Sequence, residues 1–501
     1  MYLSTRGNYE KVTASQAIRL GMVPNGGLFV PQELPALSQE EIISFRDASY
    51  QELASHIFSL YLDDFTFEEI EKAISRAYNT YSFDHEHITP LRKIDYSTYF
   101  LELWHGPTAA FKDIALQVMP LLLQDALVHL GVQKEMLILV ATSGDTGKAA
   151  LEGFKNLPKF RIVVFYPYGG VSKLQERQMT TTDGHNTYVI GVRGNFDDCQ
   201  NAAKKIFGHN ELIEHLSKGG YELSSANSIN WGRLLPHIVY YFWSYLCLLQ
   251  EGAVAPGEKI NFVVPTGNFG NILAGFYAWK MGLPVDKFIC ASNENNVLTE
   301  FFRTGVYDRN RELILTRSPS MDILISSNLE RFLFEICARD AEQVNYWMQL
   351  LQQEGRFTLD TSIRETVEQK FFADYATEEE TLRAIEEVYS TYGYTMDPHT
   401  AVGHEVYQKF LRSSGSTAKT IIASTASPYK FCSSVLEALK GREYIEGKDE
   451  FDLVKELSAI SGTPIHPSLK ELERKKVLHE RVCSKEEIEL KLREILDLRE
   501  R

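Results

Sequence analysis

Residues 103–113 read Leu103-Trp104-His105-Gly106-Pro107-Thr108-Ala109-Ala110-Phe111-Lys112-Asp113 and lead from a strand-like segment into a strongly apolar helical pattern. Lys112 stands at the entry of a helix that is predicted to be buried, where its ammonium group loses solvation. Desolvation lowers the pKa of a lysine and suits it to act as a Schiff-base nucleophile and a proton-transfer base. Most lysines at helix starts are solvated surface residues. A chemical role for Lys112 therefore requires other residues of the chain that could act together with it.

Short apolar runs alternate with helical patterns on both sides of this stretch, from about residue 95 onward. The predicted strands are 99–103, 136–141, 162–166, 188–192, 261–264, 288–291 and 420–423, and the predicted helices between them are 114–130, 147–154, 196–207, 234–250 and 272–281. We expect Pro120 to kink the first of these helices, because proline removes one hydrogen bond from the helical ladder. Continuous apolar strands that alternate with helices are typical of a parallel sheet covered on both faces, so the predicted fold class is α/β.

The length of 501 residues and the 44% hydrophobic content are enough for several domains. Residues 1–94 show helical periodicity and are predicted to form a mainly helical N-terminal region. Residues 95–235 contain the Lys112 stretch, and residues 236–440 form a larger α/β lobe. Residues 441–501 are predicted to be a C-terminal helical tail, in which interspersed opposite charges indicate a solvated helix face.

The composition disfavours several classes of partner. The formal net charge is −15 and no dense basic block is present, so we expect no nucleic-acid partner. The six cysteines lack CxxC pairs and metal-type spacing with histidine, so they are predicted to be reduced thiols and no metal site is expected. No leader-like or membrane-spanning run is visible, which predicts no membrane partner and a cytoplasmic location.

A polar, glycine-containing turn, Thr142-Ser143-Gly144-Asp145-Thr146-Gly147, lies directly after a predicted strand and opens a helix. This order presents backbone N–H groups and hydroxyls to an anion at the carboxyl edge of a sheet, so a carboxylate or a phosphate is a candidate ligand. The same residue types also cap helices, and a plain N-cap turn is an equal alternative.

A second turn of this kind is Pro265-Thr266-Gly267-Asn268-Phe269-Gly270-Asn271, again between a strand and a helix. Its two glycines allow the backbone to wrap closely around an oxyanion, and the helix dipole favours negative charge there. The turn is neither a Walker loop nor a full GxGxxG fingerprint, so the phosphate of a cofactor fits it better than a nucleoside triphosphate.

A third polar turn, Ser424-Thr425-Ala426-Ser427-Pro428, ends the last predicted strand. A hydroxyl at this point could donate to a heterocyclic nitrogen, although a turn-forming Ser/Thr cluster is an equal alternative. A Schiff-base lysine, a glycine-rich phosphate cup and a hydroxyl for a ring nitrogen together are what pyridoxal phosphate needs. The sequence therefore predicts a pyridoxal-phosphate site.

Several long motifs occur in a fixed order along most of the chain. They are residues 2–7 with 27–31, 102–113, 143–147, 226–233, 267–271, 318–323 with 327–331, and 397–403. In this ordered set the chain resembles threonine synthase, a family of the β-family (fold type II) pyridoxal-phosphate enzymes. It departs from the family pattern at Asn25, Pro120 and Ser427, where the family often has aspartate, no proline and histidine.

The resemblance implies two doubly wound lobes of the tryptophan synthase β-like type beside the helical N-terminal region. It implies that Lys112 carries the cofactor, that Gly267, Asn268, Phe269, Gly270 and Asn271 bind its phosphate, and that Thr425 faces the pyridine nitrogen. The implied substrate is O-phospho-L-homoserine, whose carboxylate docks on Ser143, Gly144, Asp145 and Thr146. Its phosphate has four candidate partners, which are Lys148, Lys173, Arg177 and Arg233, and Arg233 is the one expected to bind the substrate. Closure around two anionic groups would make the lobe after Ser143 mobile.

Other functions remain open at this stage. On the same scaffold, a phospho-lyase similar to threonine synthase or a serine/threonine dehydratase would share the lysine and the phosphate cup. A catalytically silent cofactor carrier and a nucleotide-binding module are further alternatives, the last disfavoured by the missing loop lysine. Whether the protein is a monomer or a homodimer does not follow from the sequence.

Overall fold

The computed structural model describes residues 1–142 and 144–496. The strands are β1 (Tyr2–Ser4), β2 (Phe29–Pro31), β3 (Leu91–Lys93), β4 (Thr98–Glu102), β5 (Glu135–Ala141), β6 (Phe160–Pro167), β7 (Thr187–Arg193), β8 (Tyr221–Ser224), β9 (Ile260–Pro265), β10 (Val285–Ser292), β11 (Val306–Asp308), β12 (Arg356–Thr358), β13 (Phe371–Tyr375), β14 (Thr420–Ser424) and β15 (Arg481–Ser484).

The helices of the N-terminal half are α1 (Ala14–Leu20), α2 (Gln39–Ser44), α3 (Tyr50–Ser59), α4 (Phe67–Ala77), α5 (Lys112–Leu116), α6 (Met119–His129), α7 (Asp145–Phe154), α8 (Lys173–Thr180), α9 (Phe196–Gly208), α10 (Asn210–Lys218) and α11 (Trp231–Gln250). Those of the C-terminal half are α12 (Gly270–Lys280), α13 (Val297–Thr304), α14 (Leu329–Ile336), α15 (Ala341–Gln353), α16 (Thr361–Glu368), α17 (Glu378–Tyr392), α18 (Pro398–Ser414), α19 (Cys432–Lys440), α20 (Arg442–Ile445), α21 (Glu450–Ser461) and α22 (Ile488–Ile495).

The N-terminal region is mainly helical, as the periodicity predicts. Each of its helices begins with a capping box in which a Ser or Thr bonds the backbone N–H three residues on and a Glu or Gln returns the bond; the caps are Thr13, Ser38, Ser49 and Thr66. Strands β1 and β2 pair antiparallel beside these helices. Among the described residues, no helix has the length and apolar character needed to cross a membrane.

A six-stranded sheet forms the larger lobe, with strand order β13-β10-β9-β14-β4-β3. All neighbours in it run parallel except β3, which is antiparallel to β4. The central strand β9 is buried along its whole length, and α18 packs across β9, β10 and β14. Because β9, β14 and β4 are adjacent and parallel, their carboxyl ends lie at one edge of the sheet.

A five-stranded, fully parallel sheet forms the smaller lobe, with order β15-β7-β6-β5-β8. Its edge strand β15 comes from the C-terminal region, which was predicted to be helical. Within the described residues of this tail, helix α22 (Ile488–Ile495) follows that strand. The α/β class and the two-lobe architecture are confirmed.

Two separate helices, α5 and α6, lie where the sequence predicts one helix over 114–130 with a kink at Pro120, so the prediction of a single kinked helix is wrong. Helix α5 ends at Leu116, and Pro120 lies in the first turn of α6, where proline is tolerated. The Leu116 carbonyl, which would accept from residue 120 in a continuous helix, meets a proline without an N–H. That carbonyl instead faces Gly153 of α7, whose missing side chain leaves room for it.

Candidate active site

Three polar segments meet at the carboxyl edge of the six-stranded sheet. The Lys112 stretch follows β4, Thr425 follows β14, and the Gly267–Asn271 turn follows β9. The backbone N–H of Phe111 donates to the Thr425 carbonyl at 2.8 Å, which fixes Lys112 beside Thr425. The topology therefore brings the predicted cofactor residues to one edge, where open α/β sheets bind their ligands.

The loop before Lys112 is held by Asp113. The Asp113 carboxylate accepts from the backbone N–H of Thr108 at 2.8 Å and from its hydroxyl at 2.7 Å. A side chain at Gly106 would overlap Asp113, since an added Cβ would lie 2.4 Å from the Asp113 Cβ. Burial raises the pKa of Asp113 to about 6, against the effect of the Thr108 hydrogen bonds. Lys112 is consequently presented by a closed loop at the first position of α5.

Lys112 is nearly buried, with 14% of its side chain exposed. Its Nζ lies 3.4 Å from the Ser320 hydroxyl and 3.7 Å from Asp145 Oδ2. Burial lowers the pKa of Lys112; the Asp145 carboxylate opposes this, and the charges of Lys430 and Arg233 add to it. The site thus provides the desolvated amine that the sequence predicts.

Asp145 lies at the start of α7 and its carboxylate points at two lysines. Lys430 Nζ is 2.7 Å from Asp145 Oδ1, and Gln175 Nε2 donates to the same oxygen at 2.9 Å. Burial alone would raise the pKa of Asp145, but the charges of Lys430 and Lys112 hold that pKa well below its usual range. A second carboxylate cannot be attracted by this side chain, so any contribution of Asp145 to substrate-carboxylate binding comes from its backbone N–H.

Lys430 was not identified from the sequence. It follows the Thr425 turn in the short 3-10 helix Pro428–Phe431 and is almost completely buried. The available signal was a lysine between two aromatic residues, directly after a polar turn at the end of a strand. Its partner Asp145, however, lies at the start of α7 in the smaller lobe, which the local sequence does not show.

The Gly267–Asn271 turn has the geometry of an anion cup. Phe269 adopts a left-handed conformation with φ 64°, and α12 begins at Gly270 without a side-chain cap. The first N–H groups of a helix have no intrahelical acceptor and point outward, toward an anion. The segment after residue 318 holds the turn, since Ser326 donates to the Gly267 carbonyl at 2.7 Å and Asn328 to the Asn268 carbonyl at 3.1 Å.

Two buried donors at the site lack acceptors among the described residues. Asn271 Oδ1 accepts from Tyr240 and Tyr241, whereas its Nδ2 has no partner. Arg233 donates through Nη1 to the Ala226 carbonyl at 2.5 Å, and its Nε has no partner. Buried donors of this kind suit an anionic ligand, because leaving them unpaired is costly.

The 397–403 motif is hydrogen-bonded to Ser424, the residue before Thr425. Ser424 Oγ accepts from Trp104 Nε1 at 3.1 Å and from Thr400 Oγ1 at 3.2 Å, and Thr400 is in turn bonded to Asp397. Asp397 also bonds His399, whose Nε2 accepts from the backbone N–H of Ser320. This chain of contacts links the motif to the residue nearest Lys112.

The predicted substrate turn follows β5 and faces the Lys112 edge through Asp145. Thr142 Oγ1 accepts from the N–H groups of Gly144 and Gly147, both at 3.0 Å, and this folds the turn. Gly144 has φ 138°, a backbone conformation that favours glycine. Ser143 lies outside the described residues, and the role of Ser143, Gly144, Asp145 and Thr146 stays a prediction.

Of the four candidate partners for the substrate phosphate, the structure brings one to the site. Lys148 pairs with Glu152 and Thr182, Lys173 pairs with Asp449, and Arg177 donates to the carbonyls of Leu472, Glu473 and Lys475. Arg233 is buried close enough to Lys112 for its charge to lower the pKa of Lys112. Burial lowers the pKa of Arg233 itself to about 10.

Known families account for nearly the whole chain. Residues 1–78 match the family described as threonine synthase N terminus, residues 83–425 match pyridoxal-phosphate dependent enzyme, and residues 400–480 match threonine synthase, C-terminal. The chain belongs to the threonine synthase family of pyridoxal-phosphate-dependent enzymes. The family, the enzyme class and the cofactor predicted from the sequence are confirmed.

Individual members of the family are similar over most of their length. Threonine synthase of Schizosaccharomyces pombe is 37% identical over 467 residues, covering 87% of this chain and 89% of that protein. The crystal structure of pyridoxal-phosphate-bound threonine synthase from Brucella melitensis superposes with a TM-score of 0.87 at 37% identity, covering 98% of both chains. Human threonine synthase-like 1 is 41% identical over 481 residues, and the chain spans 63% of its length.

The residues at the sheet edge fit the cofactor of this family. The ends of three adjacent parallel strands carry an amine for the carbonyl carbon, a helix start for the phosphate and a hydroxyl at Thr425. At that helix start, the Asn271 Nδ2 donor has no acceptor among the residues that the structure describes. Within the described residues, no group of three or more His, Cys, Asp or Glu side chains is arranged to hold a metal ion.

Proposed function

We propose that the protein is a threonine synthase, which converts O-phospho-L-homoserine and water to L-threonine and inorganic phosphate, the last step of threonine biosynthesis. The observation that carries the proposal is the meeting of Lys112, Thr425 and the Gly267–Asn271 cup at one sheet edge opposite Asp145. Similarity to relatives named threonine synthase supports the same activity, since this chain matches about nine tenths of the length of each.

Pyridoxal phosphate, when bound, supplies an electron sink for negative charge at the substrate carbons. Lys112 Nζ is the proposed base that removes the α proton and moves protons at the β carbon, while phosphate leaves from the γ carbon and water adds at the β carbon. Its lowered pKa suits this role, because a desolvated amine releases its proton more readily than a solvated one.

The charges around the site suit a phosphorylated amino acid. Arg233 is buried close to Lys112, and its Nε lacks an acceptor among the described residues, so a cation is available to an anionic substrate group in a chain of net charge −15. We assign Gly267, Asn268, Phe269, Gly270 and Asn271 to the cofactor phosphate and Arg233 to the substrate. Thr425 is the proposed partner of the ring nitrogen, where a hydroxyl leaves that nitrogen unprotonated and a carboxylate would not.

A phospho-lyase similar to threonine synthase, or a serine/threonine dehydratase, is the second candidate. The 41% identity to human threonine synthase-like 1 supports this second candidate. A shared scaffold does not determine whether water is added to the β carbon after phosphate has left. The two functions differ in their product: threonine in the first case, and 2-oxobutyrate or another keto acid in the second.

The test is to supply purified protein with O-phospho-L-homoserine and separate the products by chromatography. Threonine and phosphate in equal amounts are expected, and a keto acid as the main product would overturn the proposal in favour of the second candidate. Borohydride reduction should fix the cofactor to Lys112 in a peptide map. Lys112→Ala should lose turnover by at least about a thousandfold, since it removes both the covalent link and the base, whereas Lys72→Ala at an exposed position should not.

The division at residues 94, 235 and 440, the mobile lobe after Ser143, the cytoplasmic location and a monomeric or homodimeric state stay predictions. The same holds for the expectation of no nucleic-acid partner.

A further inference from the structure

The carboxylate of Asp145 has two oxygens in different states. Oδ1 accepts from Lys430 Nζ at 2.7 Å and from Gln175 Nε2 at 2.9 Å. Among the residues that the structure describes, the contacts of Oδ2 are long, 3.7 Å to Lys112 Nζ and 3.5 Å to the Ser320 hydroxyl. One oxygen is therefore fully engaged, and the other is open toward the catalytic amine.

Lys430 is built into the site as firmly as Asp145. Its side chain is 1% exposed, and its Nζ also donates to the Thr108 carbonyl at 3.0 Å. Thr108 is the residue that clamps Asp113 in the loop before Lys112. A buried ammonium is stabilised by a paired carboxylate and a carbonyl, so this contact set defines one position for Lys430.

We propose that Lys430 is a positioning residue for Lys112. Lys430 holds the Asp145 carboxylate through Oδ1, and Oδ2 then stabilises the Lys112 amine while that amine carries a proton. The distance from Oδ2 keeps the two groups from forming a permanent ion pair. The inference rests on the proposed function, which requires Lys112 to take up and release protons in turn. In this role Lys430 acts through Asp145 and binds neither the cofactor nor the substrate.

The charged and titratable groups that face Lys112 come from several elements. They are Asp145 of α7, Lys430 of the 3-10 helix after β14, Arg233 of α11, Asp113 of α5 itself, and His399 of α18, which reaches Lys112 through Ser320. Removing the Lys430 charge has two effects of the same sign. It deletes a repelling cation and it releases the Asp145 carboxylate, and both raise the proton affinity of Lys112 Nζ.

Opposite changes are expected from the two members of the pair. In Lys430→Met the pKa of the Lys112 nitrogen should rise by about one unit, a tenfold change in proton affinity. In Asp145→Asn it should fall by a similar amount, because the stabilising anion is lost. The double variant should lie between the two, since one positive and one negative charge are removed together.

The experiment titrates Lys112 in two ways. The first is the pH dependence of the visible absorbance of the cofactor-loaded protein, which reports the nitrogen that links Lys112 to the cofactor. The second is the pH dependence of Lys112 acetylation in the full-length, cofactor-free chain, quantified by mass spectrometry. Lys419→Met is the matched control, because Lys419 is also a buried lysine and donates to the Tyr96 carbonyl at the opposite end of β14. It should leave both titrations unchanged.

Turnover supplies a third readout. The acid limb of the kcat pH profile should move with the titration of Lys112 in each variant, and kcat should fall more than KM rises. Lys430→Arg, which keeps the charge, should retain the acid limb of the wild type more closely than Lys430→Met.

Titrations that do not move in Lys430→Met, or that move in the same direction in Lys430→Met and Asp145→Asn, would overturn the inference. If Lys430→Met does not fold, Asp145→Asn and Lys430→Gln provide the same comparison, and an unshifted titration in folded Asp145→Asn is sufficient to reject it. The outcome is separable from the proposed function, since the absorbance and acetylation titrations do not depend on which product forms. A keto-acid product with opposite shifts would reject only the reaction, and threonine without shifts would reject only the role of Lys430.

Discussion

His105 lies in the same loop as Lys112 and is held as a cation between two acids. Its Nδ1 lies 2.6 Å from Asp84 and its Nε2 2.9 Å from Glu102, while its ring stacks on Trp104 at 4.3 Å. Burial opposes protonation, but the hydrogen bonds to Asp84 and Glu102 raise the pKa of His105 to about 9. The residue thus ties the segment before β3 to the end of β4.

Protein stability should depend on the charge of His105. Its pKa is about 9 in the folded chain and near 6.5 unfolded, so the contribution is fully present below pH 6.5 and is lost as the pH rises through 9. The loss should reach about 2–3 kcal/mol of unfolding free energy, measured by urea unfolding between pH 6.5 and 9.5. In His105→Gln this part of the pH dependence should be absent, and in His185→Gln, at an exposed histidine, it should remain. Equal pH slopes in wild type and His105→Gln would contradict the assignment.

Single residues were predictable from the sequence where their surroundings are local. The stretch that ends in Lys112, the Gly267–Asn271 turn and Thr425 each come after an apolar strand, so the order of strand, turn and helix places them together at the sheet edge. Lys430 was not predictable in this way. A sequence shows a charge but not its partner, and the partner of Lys430 lies on another element.

At the scale of elements, the break between α5 and α6 sets how closely α7 approaches the lysine helix. The Leu116 carbonyl at the break occupies the space beside Gly153, and a Cβ added there would lie only 1.9 Å from that oxygen. The proline thus has a structural consequence beyond a kink, because the carbonyl it frees is the atom that contacts the helix carrying Asp145.

Gly153→Ala should force α5 and α7 apart. Overpacking against a backbone atom costs about 1–3 kcal/mol or more, and it should also weaken turnover, because Lys112 and Asp145 begin the two helices. Urea unfolding and kcat are the measurements. Gly208→Ala is the control: its added Cβ meets nothing within 4 Å, and an alanine in a helix is about 0.5–1 kcal/mol better than glycine. A Gly153→Ala protein as stable and active as the wild type would show that the two helices can separate without cost.

In the two larger sheets, the strands that the sequence did not reveal are β3, β8, β13 and β15, and they are the four edges of those sheets. The short strands β1, β2, β11 and β12 of the two-stranded sheets were not revealed either. Interior strands are buried on both faces and read as continuous apolar runs, which made them visible. Edge strands are short and carry polar residues, as in Tyr221-Glu222-Leu223-Ser224 of β8 and Arg481-Val482-Cys483-Ser484 of β15. Their pairing depends on a neighbour that the local pattern does not contain.

Across the whole molecule, the C-terminal region connects the two lobes. Helix α21 packs against α19 of the larger lobe and against α8 of the smaller one, and Arg177 of α8 donates to carbonyls at 472, 473 and 475. The chain then adds β15 to β7, and α22 buries Ile488 and Leu492 in a separate apolar cluster on one face of the five-stranded sheet. The smaller lobe is consequently completed by residues that follow the larger lobe in sequence.

A change in that cluster should act on one lobe only. Leu492→Ala removes a fully buried side chain from α22 and should cost about 2–5 kcal/mol, whereas Leu490→Ala on the exposed face of the same helix should stay within about 0.5 kcal/mol. Hydrogen exchange followed by mass spectrometry should show faster exchange in β7 and β15 of Leu492→Ala, with β9 and β14 unchanged, because the cluster is separate from the core around those strands. Equal loss of protection in both sheets would mean that the lobes unfold as one unit, and the lobe motion expected for closure around the substrate would then need another origin.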